Sequence, residues 1–191
     1  MMLTQGKPGN QVMIDLETLG TKPNSVMLTL GALRFNPWGD DSDKKLTDMD
    51  TFYRRIEIES YDGLDHNIDD ATLEWWGSQN EEVRAEAFAE DDRHSLSNVL
   101  GDLYRWCGGI NAIWANGTGF DLNIVEHFSR ELKRGVAWNY WQARDARTLY
   151  ALAPHLQRPK GTALHHALWD CWSQAVGVQQ VFNELSIKEL K

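Results

Sequence analysis

The chain has 191 residues, 42% of them hydrophobic, which suits one domain spanning 1–191 with its own core, residues 1–10 being expected to be flexible. Its formal net charge of -9 argues against broad electrostatic attraction to phosphate, and the lack of an apolar run of membrane length or of a basic-then-apolar leader argues against a membrane or exported protein, so a cytoplasmic location is expected. The two cysteines, Cys107 and Cys171, are too few for a disulfide framework, lack the spacing of a structural zinc site, and read as free thiols.

Residues 12–17 read as a buried strand, 18–25 as a turn punctuated by Gly20 and Pro23, and "VMLTLGALRF" at 26–35 as the returning strand of a hairpin. A polar 36–50 segment follows. "TFYRRIEIE" at 51–59 then alternates apolar and charged residues, as a half-exposed third strand does. From Asp70 the pattern is helical: "DATLEWWGSQN" and "EEVRAEAFAE" are short helices, and Leu96, Leu100, Leu103 and Trp106 mark a third that ends at Gly108-Gly109. "NAIWAN" is a short central strand, followed by a helix with Phe120, Ile124, Phe128 and Leu132 on one stripe. "WQARDARTLYALAP" reads as a strand end running into a helix. A long closing helix carries Leu164, Leu168, Trp172, Ala175 and Phe182 near one face. Antiparallel strands first, then strands interleaved with helices, predict an α/β fold: a mixed sheet flanked by helices.

The acids are the anomaly. Asp15 and Glu17 lie in an apolar run with no basic residue adjacent, and an isolated buried carboxylate is costly enough to become neutral. A cation is implied. Residues two apart on a strand project to the same side, so the pair offers two hard oxygen donors to an ion such as Mg²⁺. Asp121 stands at the mouth of a helix just after the central strand, where open α/β sheets bind ligands. Asp170 lies among Leu168, Trp169, Cys171 and Trp172. Singly, Asp121 reads as a helix N-cap, Asp170 as a solvated helix residue and Glu17 as part of a turn. Together with His165, in His165-x4-Asp170, they form a far more specific pattern. Five positions along a helix turn about 140°, so His165 belongs in a loop or first turn ahead of the helix, where Pro159 and Gly161 interrupt it. His166 takes a packing or surface role. Arg144, Arg147, Arg158 and Lys160 cluster in one third of the chain and offer an anionic substrate a locally positive rim.

"MIDLETLG", "NGTGFDLNIV" and "HHALWDCW" resemble the three exonuclease motifs of the DEDD superfamily in its histidine form; the tyrosine form would place Tyr where His166 stands. "ATLEWWGSQNEEVR" and "QARDARTL" are similar to segments of the ribonuclease T-like branch, which holds phage exonuclease A and prophage exodeoxyribonuclease VIII-like proteins. The similarity runs over roughly residues 12–182. It implies a ribonuclease H-like fold, two Mg²⁺ or Mn²⁺ ions, and 3'-to-5' removal of nucleoside 5'-monophosphates.

On that resemblance, Asp15 would bridge two ions about 3.5 to 4 Å apart, Glu17 and Asp170 would hold one, and Asp121 the other, partly through water. His165 would take the proton of the attacking water. Thr18 and Leu19 would touch the terminal nucleotide. Trp75 and Trp76 would form a stacking wall, although adjacent helical residues point about 100° apart, so one of the two is expected to pack inside. Asp145, between Arg144 and Arg147, reads as a local ion pair or a support to the site. The expected partners are single-stranded or 3'-overhanging DNA or RNA, DNA slightly favoured, and the tryptophan surplus permits a homodimer. The rival readings are an RNA-specific exoribonuclease of the same fold, a non-catalytic binding module, and a zinc hydrolase built on His155, His165, His166 and Cys171.

Overall fold

In a computed structural model, residues 10–159 and 165–189 are described; the expected flexibility of the first residues, and Lys160, Gly161 and Leu164, lie outside them. The hairpin forms as its apolar alternation requires. β1 (Gln11–Thr18) and β2 (Met27–Phe35) pair antiparallel, with Asp15 opposite Gly31 and a slip of register between Glu17 and Thr18. β3 (Thr51–Ile56) extends the antiparallel half, and β5 (Ala112–Ala115) lies parallel to β1 on its other side. With β4 (Arg93–His94) and β6 (Ala143–Asp145) at the edges, the six-stranded sheet has the order β4-β3-β2-β1-β5-β6. This is the mixed α/β sheet expected.

Alternation along β1 sends Val12, Ile14 and Leu16 to one face and Met13, Asp15 and Glu17 to the other. The first face is closed by α3 (Leu96–Trp106) and α4 (Asp121–Glu131), whose Leu100, Leu103, Ile124 and Phe128 join Val12, Ile14, Leu30 and Ile113 in one core. α1 (Asp70–Ser78) and α2 (Glu81–Ala87) bring Trp76, Val83 and Ala87 to the same core. The second face carries α5 (Ala146–Tyr150) and the long α6 (Ala167–Glu184), where Cys171, Trp172, Ala175 and Phe182 pack on Met13, Leu33, Phe35 and Trp114. Cys107 and Cys171 are both free and buried, on opposite faces. Among the described residues no helix is long and apolar enough to cross a membrane.

Two boundaries and one short strand differ from the sequence expectation. β3 ends at Ile56 because a single 3-10 turn, Ile58–Tyr61, follows and buries Tyr61, whose hydroxyl both accepts from and donates to the main chain of Met27. β4 is two residues long, too short to show any alternation. α6 starts only at Ala167, because the His166 ring caps it by accepting from the Leu168 amide at 3.2 Å.

Candidate active site

The acidic site begins where the apolar pattern of β1 breaks. Met13 is core on the α6 side, and the next two side chains on that side are Asp15 and Glu17. α6 can come close enough to meet them because β2 has no side chain at Gly31. A Cβ there would stand 2.5 Å from the carbonyl carbon of Ala167 and 2.6 Å from the Leu168 nitrogen. The first turn of α6 thus lies against the strand that pairs with Asp15, and Asp170 comes with it. Asp121 arrives from the other face: it is the first residue of α4, 4% exposed, and its Oδ1 accepts from the Leu16 amide at 3.2 Å. It ties α4 to β1, whereas the cap position of α4 is Phe120.

His165 stands in a turn with φ +52°, the left-handed region that a non-glycine residue adopts only when its surroundings impose it. This turn frees its ring from the spiral of α6, as the spacing to Asp170 demands. One ligand atom from each of Glu17, His165 and Asp170 lies within 4.8 Å of the others. His166 faces away: it stacks on Tyr53 at 4.7 Å and approaches Glu86 at 3.6 Å, the packing role expected. The zinc grouping does not form, since His155 pairs with Glu184 at the far end of α6 and Cys171 is buried against the carbonyl oxygen of Gly31.

The electrostatics are those of a cluster in which burial and mutual repulsion outweigh the nearby positive charges. Burial raises the Asp15 carboxyl well above its ordinary value, and Asp121, Glu17 and Asp170 raise it further, against a hydrogen bond from Gln174 that lowers it. Burial and the charges of Asp170 and Asp121 push Glu17 to about 8. Burial carries Asp121 to about 7 despite the amides of Asp121 and Leu16 and the charge of Arg147, and burial raises Asp170 against the charges of His165, His166 and Arg158. Among the described residues none of the four pairs with Lys or Arg within 4.0 Å. Four hard oxygen donors held at this cost fit divalent cations such as Mg²⁺ or Mn²⁺.

A cleft of about 600 Å³ opens over the cluster, walled by Asp15, Glu17, Asn116, Arg158, His165 and Asp170 among others. Trp75, 40% exposed, sets its ring against that of His165 at 4.9 Å in an edge contact. Trp76 is 2% exposed and donates from Nε1 to the Thr18 carbonyl at 2.9 Å, so one indole faces out and one packs inside. Thr18 and Leu19 are buried rather than in the cleft wall: the Thr18 hydroxyl donates to the Gly20 carbonyl and Leu19 packs in the core. Asp145 caps α5 through the Thr148 amide and also accepts from the Thr118 amide, which ties the 116–119 loop beside the cleft. Two residues escaped the sequence reading. Gly31 carries no chemistry and is legible only once the hairpin register is known. Gln174 donates from Nε2 to Asp15 Oδ1 at 2.8 Å; its place one helical turn after Asp170 was the available signal.

Residues 10–182 match the family described as the 3'-5' exoribonuclease Rv2179c-like domain. The chain belongs to that family. By that family it is a nuclease, and no curated protein matches the chain's sequence. Among solved structures it is similar to the nuclease domain of 3'hExo, a DEDDh family member bound to rAMP, with a TM-score of 0.62 and 13% identity over 97% of this chain and 96% of that one. It is similar also to exonuclease I of E. coli in a zinc-bound complex with single-stranded DNA (TM-score 0.64, 15% identity, 93% and 41% covered). A third is the cell-death related nuclease CRN-4 (TM-score 0.54, 12% identity, 93% and 65%). This chain therefore spans less than two thirds of the length of the last two proteins. At these identities the likeness establishes the fold, and the ribonuclease H-like architecture expected from the motifs holds.

Proposed function

We propose that this nuclease removes nucleotides one at a time from the 3' end of a single strand, hydrolysing the terminal phosphodiester bond with the help of two divalent cations, Mg²⁺ or Mn²⁺. Asp15, Glu17, Asp121 and Asp170 would hold the cations, which supply charge to the phosphate and make a water molecule acidic. The single observation that carries the reading is the convergence of these four unpaired carboxylates with His165 under one cleft.

The chain's own side chains do the rest. A ring nitrogen of His165 accepts the proton of the attacking water, whose oxygen bonds to phosphorus as the P–O3' bond breaks. The 3' oxygen leaves and takes a proton from solvent, and a nucleoside 5'-monophosphate is freed. Trp75 braces the imidazole from its edge, and His166, by capping α6, fixes the left-handed turn that aims its neighbour. Gln174 holds Asp15 in one orientation through its hydrogen bond. The face of Trp75 would receive the terminal base. RNA is the substrate that the family description favours, and the DNA preference suggested by the resemblance to the ribonuclease T-like branch is the other arm of the test. A cytosolic location and a dimer belong to the same proposal.

Single-stranded RNA and DNA of one sequence, labelled at the 5' or the 3' end, decide it in a time course with Mg²⁺ or Mn²⁺. Immediate release of labelled mononucleotide from the 3' end is expected. Mononucleotide released first from the 5' end would overturn the polarity. His165→Ala is expected to lower turnover by about 10² to 10⁴ while calorimetry finds cation binding intact.

A further inference from the structure

A cleft walled by carboxylates repels a phosphodiester backbone, so a fixed cation in that wall is informative. Of the basic residues expected to form a positive rim, Arg144 donates to the carbonyls of Trp141 and Ala143, and Arg147 to that of Asn116. Arg158 differs. Among the described residues that line the cleft it alone carries a permanent charge of positive sign, and among the described residues no carboxylate lies within 4.0 Å of its guanidinium.

Its place is constructed. The aliphatic stem runs over α6 at Gly177, where an added Cβ would come within 2.8 Å of Arg158 Cγ and 2.9 Å of Cδ. The guanidinium carbon lies 4.7 Å from the centroid of the Tyr150 ring, and the Tyr150 hydroxyl donates to the Gln174 carbonyl at 2.8 Å. The next residue, Pro159, is fixed as well, its carbonyl accepting from Ser173 Oγ at 2.6 Å. Stem, head and following residue are thus all attached to the part of α6 that directly follows Asp170. Such ordering before any ligand arrives lowers the entropic cost of binding one. A guanidinium is also the side chain whose donors match phosphate oxygens in pairs.

We propose that Arg158 grips the backbone phosphate adjoining the scissile one on its 5' side, a binding role that rests on the nuclease reading above. The scissile phosphate faces the carboxylates and the cations they would hold. Its neighbour, one nucleotide back along the strand, needs a counter-charge of its own.

The test measures kcat and KM of the full chain on a short single strand and on the same strand with one neutral methylphosphonate at the adjoining position. Arg158→Ala is expected to raise KM about 10- to 100-fold on the natural strand with kcat little changed, the mark of uniform binding. Wild type is expected to lose a similar factor on the methylphosphonate strand, and Arg158→Ala to be indifferent to it. Arg158→Lys, which keeps the charge without the fork, should fall between. Gly177→Ala keeps the arginine and displaces it, the added Cβ also standing 3.2 Å from Tyr150 Cε1; it should raise KM with kcat little changed. An unchanged KM in Arg158→Ala, or an equal loss on neutral and charged strands, overturns the assignment while leaving the nuclease reading intact. Failure of the wild type to shorten any strand overturns that reading, and the assignment with it.

Discussion

The two faces of the sheet use the same strands for opposite ends. Beneath α3 and α4 the centre of the face is apolar, and Val12, Ile14, Leu30, Ile113, Leu103 and Phe128 close over one another. Beneath α6 it is apolar only as far as Met13 and Trp114, after which β1 presents two acids to a third on α6, and a fourth reaches over from α4. The first face gains from burial at each of these positions. The second gives up burial energy within one strand in order to hold charge. Stability and chemistry are thereby separated by the thickness of a sheet, and substitutions on the two sides should have opposite signatures.

The largest effect is expected from Asp15→Asn. Turnover should vanish, while the metal-free protein should melt at a higher temperature than wild type, because one member of a mutually repelling buried set is gone. A lower melting temperature would mean that the acid supports the fold. Gly31→Ala should come next. Its Cβ meets main chain, so the start of α6 must move, and a displacement of that order at a reacting centre costs about 10² in kcat. Activity equal to wild type would show that α6 has slack at this point.

A smaller effect appears in thermal melting against pH. Glu17 and Asp121 titrate at about 8 and about 7 in the folded chain, above their ordinary values, so folding takes up protons between the two. The stability these two acids contribute to the metal-free protein is fully present below the ordinary carboxylate range and should be lost as pH rises towards about 8. Mg²⁺ should flatten that slope; melting curves in chelator and in Mg²⁺ compare the two directly. The smallest effect on catalysis is expected on the closed face. Leu103→Ala, in a fully buried position, should cost about 2 to 5 kcal/mol in denaturant unfolding and leave kcat unchanged.

Much of this was legible in the order of residues. The alternation of β1 told which side chains share a face, and the apolar company of Asp15, Glu17 and Asp170 showed that three acids had been placed against their preference. The spacing of His165 to Asp170 required a break ahead of the helix, and the break is there, at a left-handed residue. Adjacent tryptophans on a helix had to diverge, and they do. What was hidden depends on contacts between distant segments. A two-residue strand has no period to read, and Tyr61 ends β3 through a hydrogen bond to a residue 34 positions away. Asp121 read singly as a cap because nothing local shows that its carboxylate would reach the Leu16 amide, 105 residues earlier. The missing side chain of Gly31 acquires meaning only from what packs against it.

That last contact has a mechanical side. Where α6 touches β2 it does so main chain to main chain, so the spacing there is set by bonded geometry and has no rotamer to adjust. The point acts as a fulcrum. A packing defect near Phe182, at the distant end of the 18-residue helix, is expected to pivot α6 about Gly31 instead of lifting it. Asp170, three residues from Ala167, sits on the short arm of that lever, so its position should depend less on packing at Phe182 than on the missing side chain at Gly31.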